Sequence, residues 1–154
     1  MNCTTPKQSS RRDDISPLAL WRSAPANAVD RADIGRLHEA IRCVNLVGES
    51  AWRLARTGDA GAAIGVAICV AIKRRARPEI VDLVMTAVLA TAIEGSSAAR
   101  AFLAHMLGKR GADALASSWI EANRVAAMRP PLAAPQPSPK HAQKHHNECA
   151  RLHG

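Results

Sequence analysis

The chain has 154 residues, a net charge of +8, 47% hydrophobic residues and 3% aromatic residues, with no tyrosine. This length gives room for one domain with tails. Four cysteines without a CxxC pair exclude a disulfide framework, and the longest charge-free apolar run, about 13 residues from Ala60 to Ile72, is too short for the roughly 20 residues of a membrane helix.

Residues 1–28 are polar and interrupted by Pro6, Pro17 and Pro25, which predicts a disordered arm. Within it Ile15 to Trp21 is a small apolar island, expected to pack loosely. The arm lacks the continuous apolar stretch of a secretory signal, so the expected location is cytoplasmic.

Residues 29–128 read as successive helices. Asp30 is placed to cap the first, with Asp33 in its first turn. Small or apolar residues then recur at Ile34, Leu37, Ile41, Val44, Gly48, Ala51 and Ala55. The steps alternate between three and four, which predicts one long helix with a heptad-like stripe. Gly58 and Asp59 end it and start the second. That helix, Ala60 to Ile72, is apolar all round and is expected to be the most buried of the set. Gly61 and Gly65 within it let a neighbouring backbone approach closely. Cys43 and Cys69 fall on these two helices and read as small buried hydrophobes.

The second helix finishes in KRRAR, residues 73–77. Pro78 opens the third helix at its first position. Ile80, Val81, Val84, Val88 and Ala92 follow, and Gly95 is a C-terminal stop. Ser96 or Ser97 caps the fourth, which carries Ala99, Phe102, Leu103, Met106 and Leu107. After a turn bracketed by Gly108 and Gly111, the fifth shows Ala112, Leu115, Ala116, Trp119 and Ile120 as one amphipathic face. From residue 129 the composition changes to a Pro-rich and then His-rich basic tail, expected to be disordered.

The expected fold is therefore all-α. A single compact bundle or short α-hairpin stack of about five helices occupies residues 29–128, between disordered tails at 1–28 and 129–154. Alanine carries much of the apolar count and buries little surface, so a thin core is expected. A protein partner or a second copy of the chain would supply the missing burial.

Two segments resemble known helical motifs. Ala55-x-x-Gly58-x-x-x-Ala62 recurs as Ala92-x-x-Gly95-x-x-x-Ala99, and this resembles the turn between helices in tetratricopeptide-type repeats. Leu103 to Trp119 is similar to a helix-turn-helix segment, with Ala104 and Gly108 spaced as in that motif. Lys109 and Arg110 stand where it usually has an apolar plug. The second resemblance implies DNA binding through residues 103–124, with Ser117, Ser118 and Asn123 as base readers.

The charge is unevenly spread. Residues 31–77 carry nine basic and four acidic groups, and residues 129–154 carry four and one. Arg42, Arg53, Arg56, Lys73, Arg74, Arg75 and Arg77 form the candidate basic patch for nucleic acid. The bland reading of its last four residues is a solvated helix end that compensates the dipole. Tail residues His141, His145, Cys149 and His153 recur every four positions, but four in one row cannot close a single tetrahedral site, and no metal is assigned. His38 and Glu39 are neighbours on a helix and point apart, and His105 sits in an apolar helical run as a core or boundary histidine. No GxxxxGK[ST] or GxGxxG loop occurs. The expectation is a non-enzymatic helical interaction or adaptor module, with no cofactor, no small-molecule substrate and no stable membrane association. A small nucleic-acid-binding regulator is the alternative.

Overall fold

Short-range side-chain chemistry starts and stops the helices of this chain. The structure, a computed structural model, describes residues 16–73 and 76–128. Among these there is no strand. There are two short 3-10 helices, Pro17–Arg22 and Ala26–Ala28, and six α-helices: α1 (Arg31–Arg42), α2 (Trp52–Ala55), α3 (Ala60–Ile72), α4 (Pro78–Glu94), α5 (Ser97–Lys109) and α6 (Asp113–Met128). The all-α expectation holds. Residues 1–15, 74, 75 and 129–154 lie outside the described residues, and with them Ile15, Arg74, Arg75, Cys3, Cys149 and the tail histidines.

The caps are where local chemistry put them. Asp30 accepts from the backbone N–H of Ala32 at 2.8 Å, and Asp33 closes a capping box by accepting from Asp30 N at 3.0 Å. Asp59 caps α3 through Ala62 N at 2.7 Å, and Ser96 caps α5 through Ala99 N at 3.2 Å. Pro78 is the first residue of α4. Three turns repeat one hydrogen-bond pattern, the Schellman stop, each with a glycine in the left-handed region: Gly58 (φ +97°), Gly95 (φ +116°) and Gly111 (φ +74°). After them Asp59 N, Ser96 N and Ala112 N reach back to the carbonyls of Leu54, Thr91 and Leu107. The apparent internal repeat is thus a local stop signal that the chain uses three times.

The first predicted helix is broken. It ends at Arg42, and residues 43–51 turn back, with Gly48 at φ +83°, before α2 begins. Val44 and Asn45 are weak helix formers. Carbonyls at and just past the end of α1 are taken up by side chains from α2 and the residue after it: Arg56 Nη1 donates to Arg42 O at 2.7 Å, and Trp52 Nε1 donates to Val44 O in the turn at 2.7 Å. Cys43, at the break, is exposed, and so is Cys69 on α3. Neither is the buried hydrophobe that the periodicity suggested.

The most buried helix is α4, not α3. Every residue from Leu83 to Ala92 is buried, and α1, α3, α5 and the 3-10 helix at 17–22 pack around it. Two threonines made α4 look less apolar in sequence. Their hydroxyls donate within the helix, Thr86 to Asp82 O at 2.7 Å and Thr91 to Val88 O at 2.9 Å, so they enter the core without an unmet hydrogen bond. In α3 only Ala63, Val66, Ala67 and Val70 are buried.

Residues 16–28 do not behave as an arm. Trp21 is fully buried, and its indole N–H donates to Asp82 Oδ1 at 3.0 Å. Arg22 Nε donates to the same oxygen at 2.7 Å. Trp119 Nε1 donates to Ala24 O, and Ala26 N donates to Ser118 Oγ at 3.1 Å. The folded unit therefore extends upstream of residue 29, because the apolar island supplies one of the few large side chains the core has.

Candidate interaction surfaces

The α5–α6 hairpin presents a groove. It measures about 740 Å³, and Ala101, Ala104 and Gly108 of α5 and Ala116 of α6 are among its lining residues. Such small side chains leave space between two helices that larger ones fill. His105, Lys109, Asp113 and Asn123 also line it. Asn123 Oδ1 is buried and has no hydrogen-bond partner among the described residues. A buried acceptor without a donor is costly, so Asn123 is a locally unfavourable feature of the groove wall.

On α6, Ile120 lines this groove, Met128 is 72% exposed at the helix end, and Val125 is exposed on the other side. A second groove of about 450 Å³ runs between Ala26, Asn27 and the Ser118, Glu121, Ala122 and Val125 side of α6. Ile120 was expected to share the inward face of this helix with Trp119. It lies one residue further round, 59% exposed on the lip of the α5–α6 groove, where the small side chains of α5 do not cover it.

The residues singled out for base reading have other surroundings. The Ser118 hydroxyl donates to Leu115 O at 2.7 Å and accepts from Ala26 N, which ties the 26–28 turn to α6. Ser117 is exposed on the groove wall. Of the two cations that follow Gly108, Arg110 stacks over the Trp21 ring at 5.0 Å from its centroid. Arg124, late in α6, is bonded to Glu121, and this contact raises its pKa, first through the hydrogen bond and then through the charge.

The candidate basic patch divides in the same way. Arg56 holds Arg42 O and the Asn45 side chain, so it acts as a backbone clamp. Arg42 pairs with Glu39 on its own helix. Lys73 donates to Glu49 in the 43–51 turn. The hydrogen bond, then the glutamate charge, hold its ammonium above its ordinary pKa. Lys73 and Arg77 do share a groove of about 430 Å³ with Asn45, Val47 and Glu49. Arg53 and Arg77 are exposed and make no ion pair among the described residues.

The titratable groups are dispersed. His38 bridges α1 to two other elements, with Nδ1 3.3 Å from Arg56 O and Nε2 3.1 Å from Glu94 Oε1. His105 is exposed and is not a core residue. Among the described residues no three His, Cys, Asp or Glu side chains are grouped to hold a metal ion, and no helix is long and apolar enough to cross a membrane.

A further apolar face lies on α3. Gly61, Gly65, Ile68 and Ile72 are all exposed and lie directly opposite the helix face that packs on the core. The apolar-all-round composition of this segment signalled full burial, whereas the structure covers one side only. In comparisons with known proteins, no family model, no curated protein and no solved structure matches this chain.

Proposed function

We propose that this chain is a non-enzymatic helical interaction module whose α5–α6 face receives an apolar helix of a protein partner. The observation that carries the reading is Ile120, an aliphatic side chain 59% exposed that lines a groove of small residues. An amphipathic helix lying in that groove covers Ile120 with its apolar face. Full burial of a large aliphatic side chain contributes about 1.5–3 kcal/mol, and Ile120 is already partly covered, so it contributes a fraction of that. Lys109 and Asp113 on the groove wall give the partner helix a preferred direction.

The test is site-specific photo-crosslinking in cells, with the crosslinker at Ile120 and, as a control, at exposed Arg36 on α1. The reading expects a discrete protein adduct from position 120 only, lost when Ala101→Glu, on the facing wall of the groove, is added. Absence of an adduct at position 120, or equal adducts at both positions, would sink it.

Nucleic-acid binding has less support. Lys73 and Arg42 face glutamates, Arg56 is spent on backbone carbonyls, and the outer face of α6 mixes Asp113, Glu121 and Arg124 with aliphatic side chains. Mobility shifts on DNA and RNA at roughly 50 mM salt, where phosphate contacts are strongest, decide between the two.

A further inference from the structure

The outward face of α3 is complementary to itself. Its central row reads Gly61, Gly65, Ile68, Ile72, with Cys69 and Ala71 exposed on the flanks and Ala62 and Ile64 half-buried. From Ala60 to Ile72 the helix has no charged residue. Ile72 is 73% exposed and Ile68 43%. A Cβ built on Gly65 meets no atom within 4 Å, so the space above it is open.

We infer that this face is the interface between two copies of the chain, which pack α3 against α3 in antiparallel orientation about a two-fold axis. The argument is the order of the residues. In an antiparallel pair, each residue of the central row meets the one equally far from the midpoint of that row, Gly61 to Ile72, which falls between Val66 and Ala67. Gly61 then faces Ile72 of the second copy, and Gly65 faces its Ile68. Every layer puts a glycine hole opposite an isoleucine knob, so the backbones approach closely without leaving voids. On the flanks, residues of the same side meet across the axis, Ile64 near Ala71 and Ala62 near Cys69. At each end Asp59 of one copy, whose Oδ1 caps its own helix, arrives near Lys73 of the other, which is already paired with Glu49, so the ends add little and the glycine–isoleucine layers carry the contact. A parallel pair sets Ile on Ile, Gly on Gly and Lys73 on Lys73, which leaves gaps and repulsion.

An isologous contact of this kind is the commonest way a soluble chain self-associates. Two helix faces about 20 Å long bury less than the roughly 1,200–2,000 Å² of a standard interface, which predicts a weak dimer. This face is separate from the α5–α6 groove, so either proposal can fail without the other.

Sedimentation equilibrium of the full chain up to roughly 0.5 mM, where weak complexes populate, is the test. The expected result is a mass that rises from monomer to dimer and stops there. Gly65→Leu fills open space in the monomer, so it is expected to keep the helical circular dichroism and melting temperature while abolishing the dimer. Ile72→Lys, a second route to the same loss, guards against misfolding of the first variant. Ile120→Asp, on the other face, is expected to leave the dimer intact. Alkylation of Cys69 should slow as concentration rises, whereas alkylation of Cys43 should not. A chain that stays monomeric throughout, or a Gly65→Leu chain that dimerises like the wild type, overturns the inference.

Discussion

At the scale of single residues, the glycines separate backbone need from surface accident. Gly95 holds φ +116°, and a Cβ there finds free space. Gly95→Ala is nevertheless expected to destabilise by about 1–2 kcal/mol, because the left-handed conformation itself is costly for an L side chain. Gly35 sits inside α1, exposed and helical, with no atom within 4 Å of a built Cβ. Gly35→Ala is expected to stabilise by about 0.5–1 kcal/mol. Chemical denaturation of the two variants checks the opposite signs. Asp82 is the other decisive residue. It accepts from the Trp21 indole and the Arg22 guanidinium, so Asp82→Ala strands a buried N–H and is expected to cost about 1–3 kcal/mol in the same assay. An effect below about 0.5 kcal/mol, the range of ordinary surface changes, would show that Trp21 is not anchored there.

At the scale of elements, the turn at 43–51 is held from both sides. Arg56 and Trp52 satisfy carbonyls at and just past the end of α1, and Lys73 reaches Glu49 from the end of α3. Arg56→Ala is expected to cost about 1.5–3 kcal/mol, the range for hydrogen bonds to a charged group, and to raise amide exchange in residues 43–51. Arg53→Ala, on the exposed side of α2, is expected to stay within about 0.5 kcal/mol. If both variants were equally neutral, Arg56 would return to the pool of free surface cations. The Lys73 contact has a definite pH dependence. Its pKa is raised in the folded state, so its stabilisation is fully present below the unfolded value of roughly 10.4. It is lost as pH rises through the folded value. Loosening of the 43–51 turn in hydrogen exchange is therefore expected only in strongly alkaline solution, is expected to be small because the ammonium is solvent-exposed, and should vanish as a pH effect in Lys73→Met. A loss already complete at neutral pH would contradict the pairing.

At the scale of the whole molecule, the scarcity of aromatic residues makes each large side chain count. Trp21, Trp52 and Trp119 are all buried, and the first comes from a segment that looked like an arm. A chain begun at Val29 is expected to lose its cooperative thermal melt, because Trp119 and the Trp21 side of α4 are then uncovered. A melt unchanged from that of the full chain would restore the shorter boundary. What the sequence determined by itself was the start and stop of most helices: Asp30, Asp59 and Ser96 as caps, Pro78 as an opener, Gly58, Gly95 and Gly111 as stops. Each of these acts through hydrogen bonds or dihedral limits within about five residues, so a local reading reaches them. The tertiary structure alone decided that α4 and not α3 is central, that the first helix breaks at residue 42, that residues 16–28 belong to the core, and that Arg56 serves its own backbone. Those outcomes depend on partners far away along the chain, as Trp21 and Asp82 are at 61 positions apart. Periodicity shows that a face is apolar, but only the packed neighbours show whether that face is covered. For α3 and α6 they leave one side open to water.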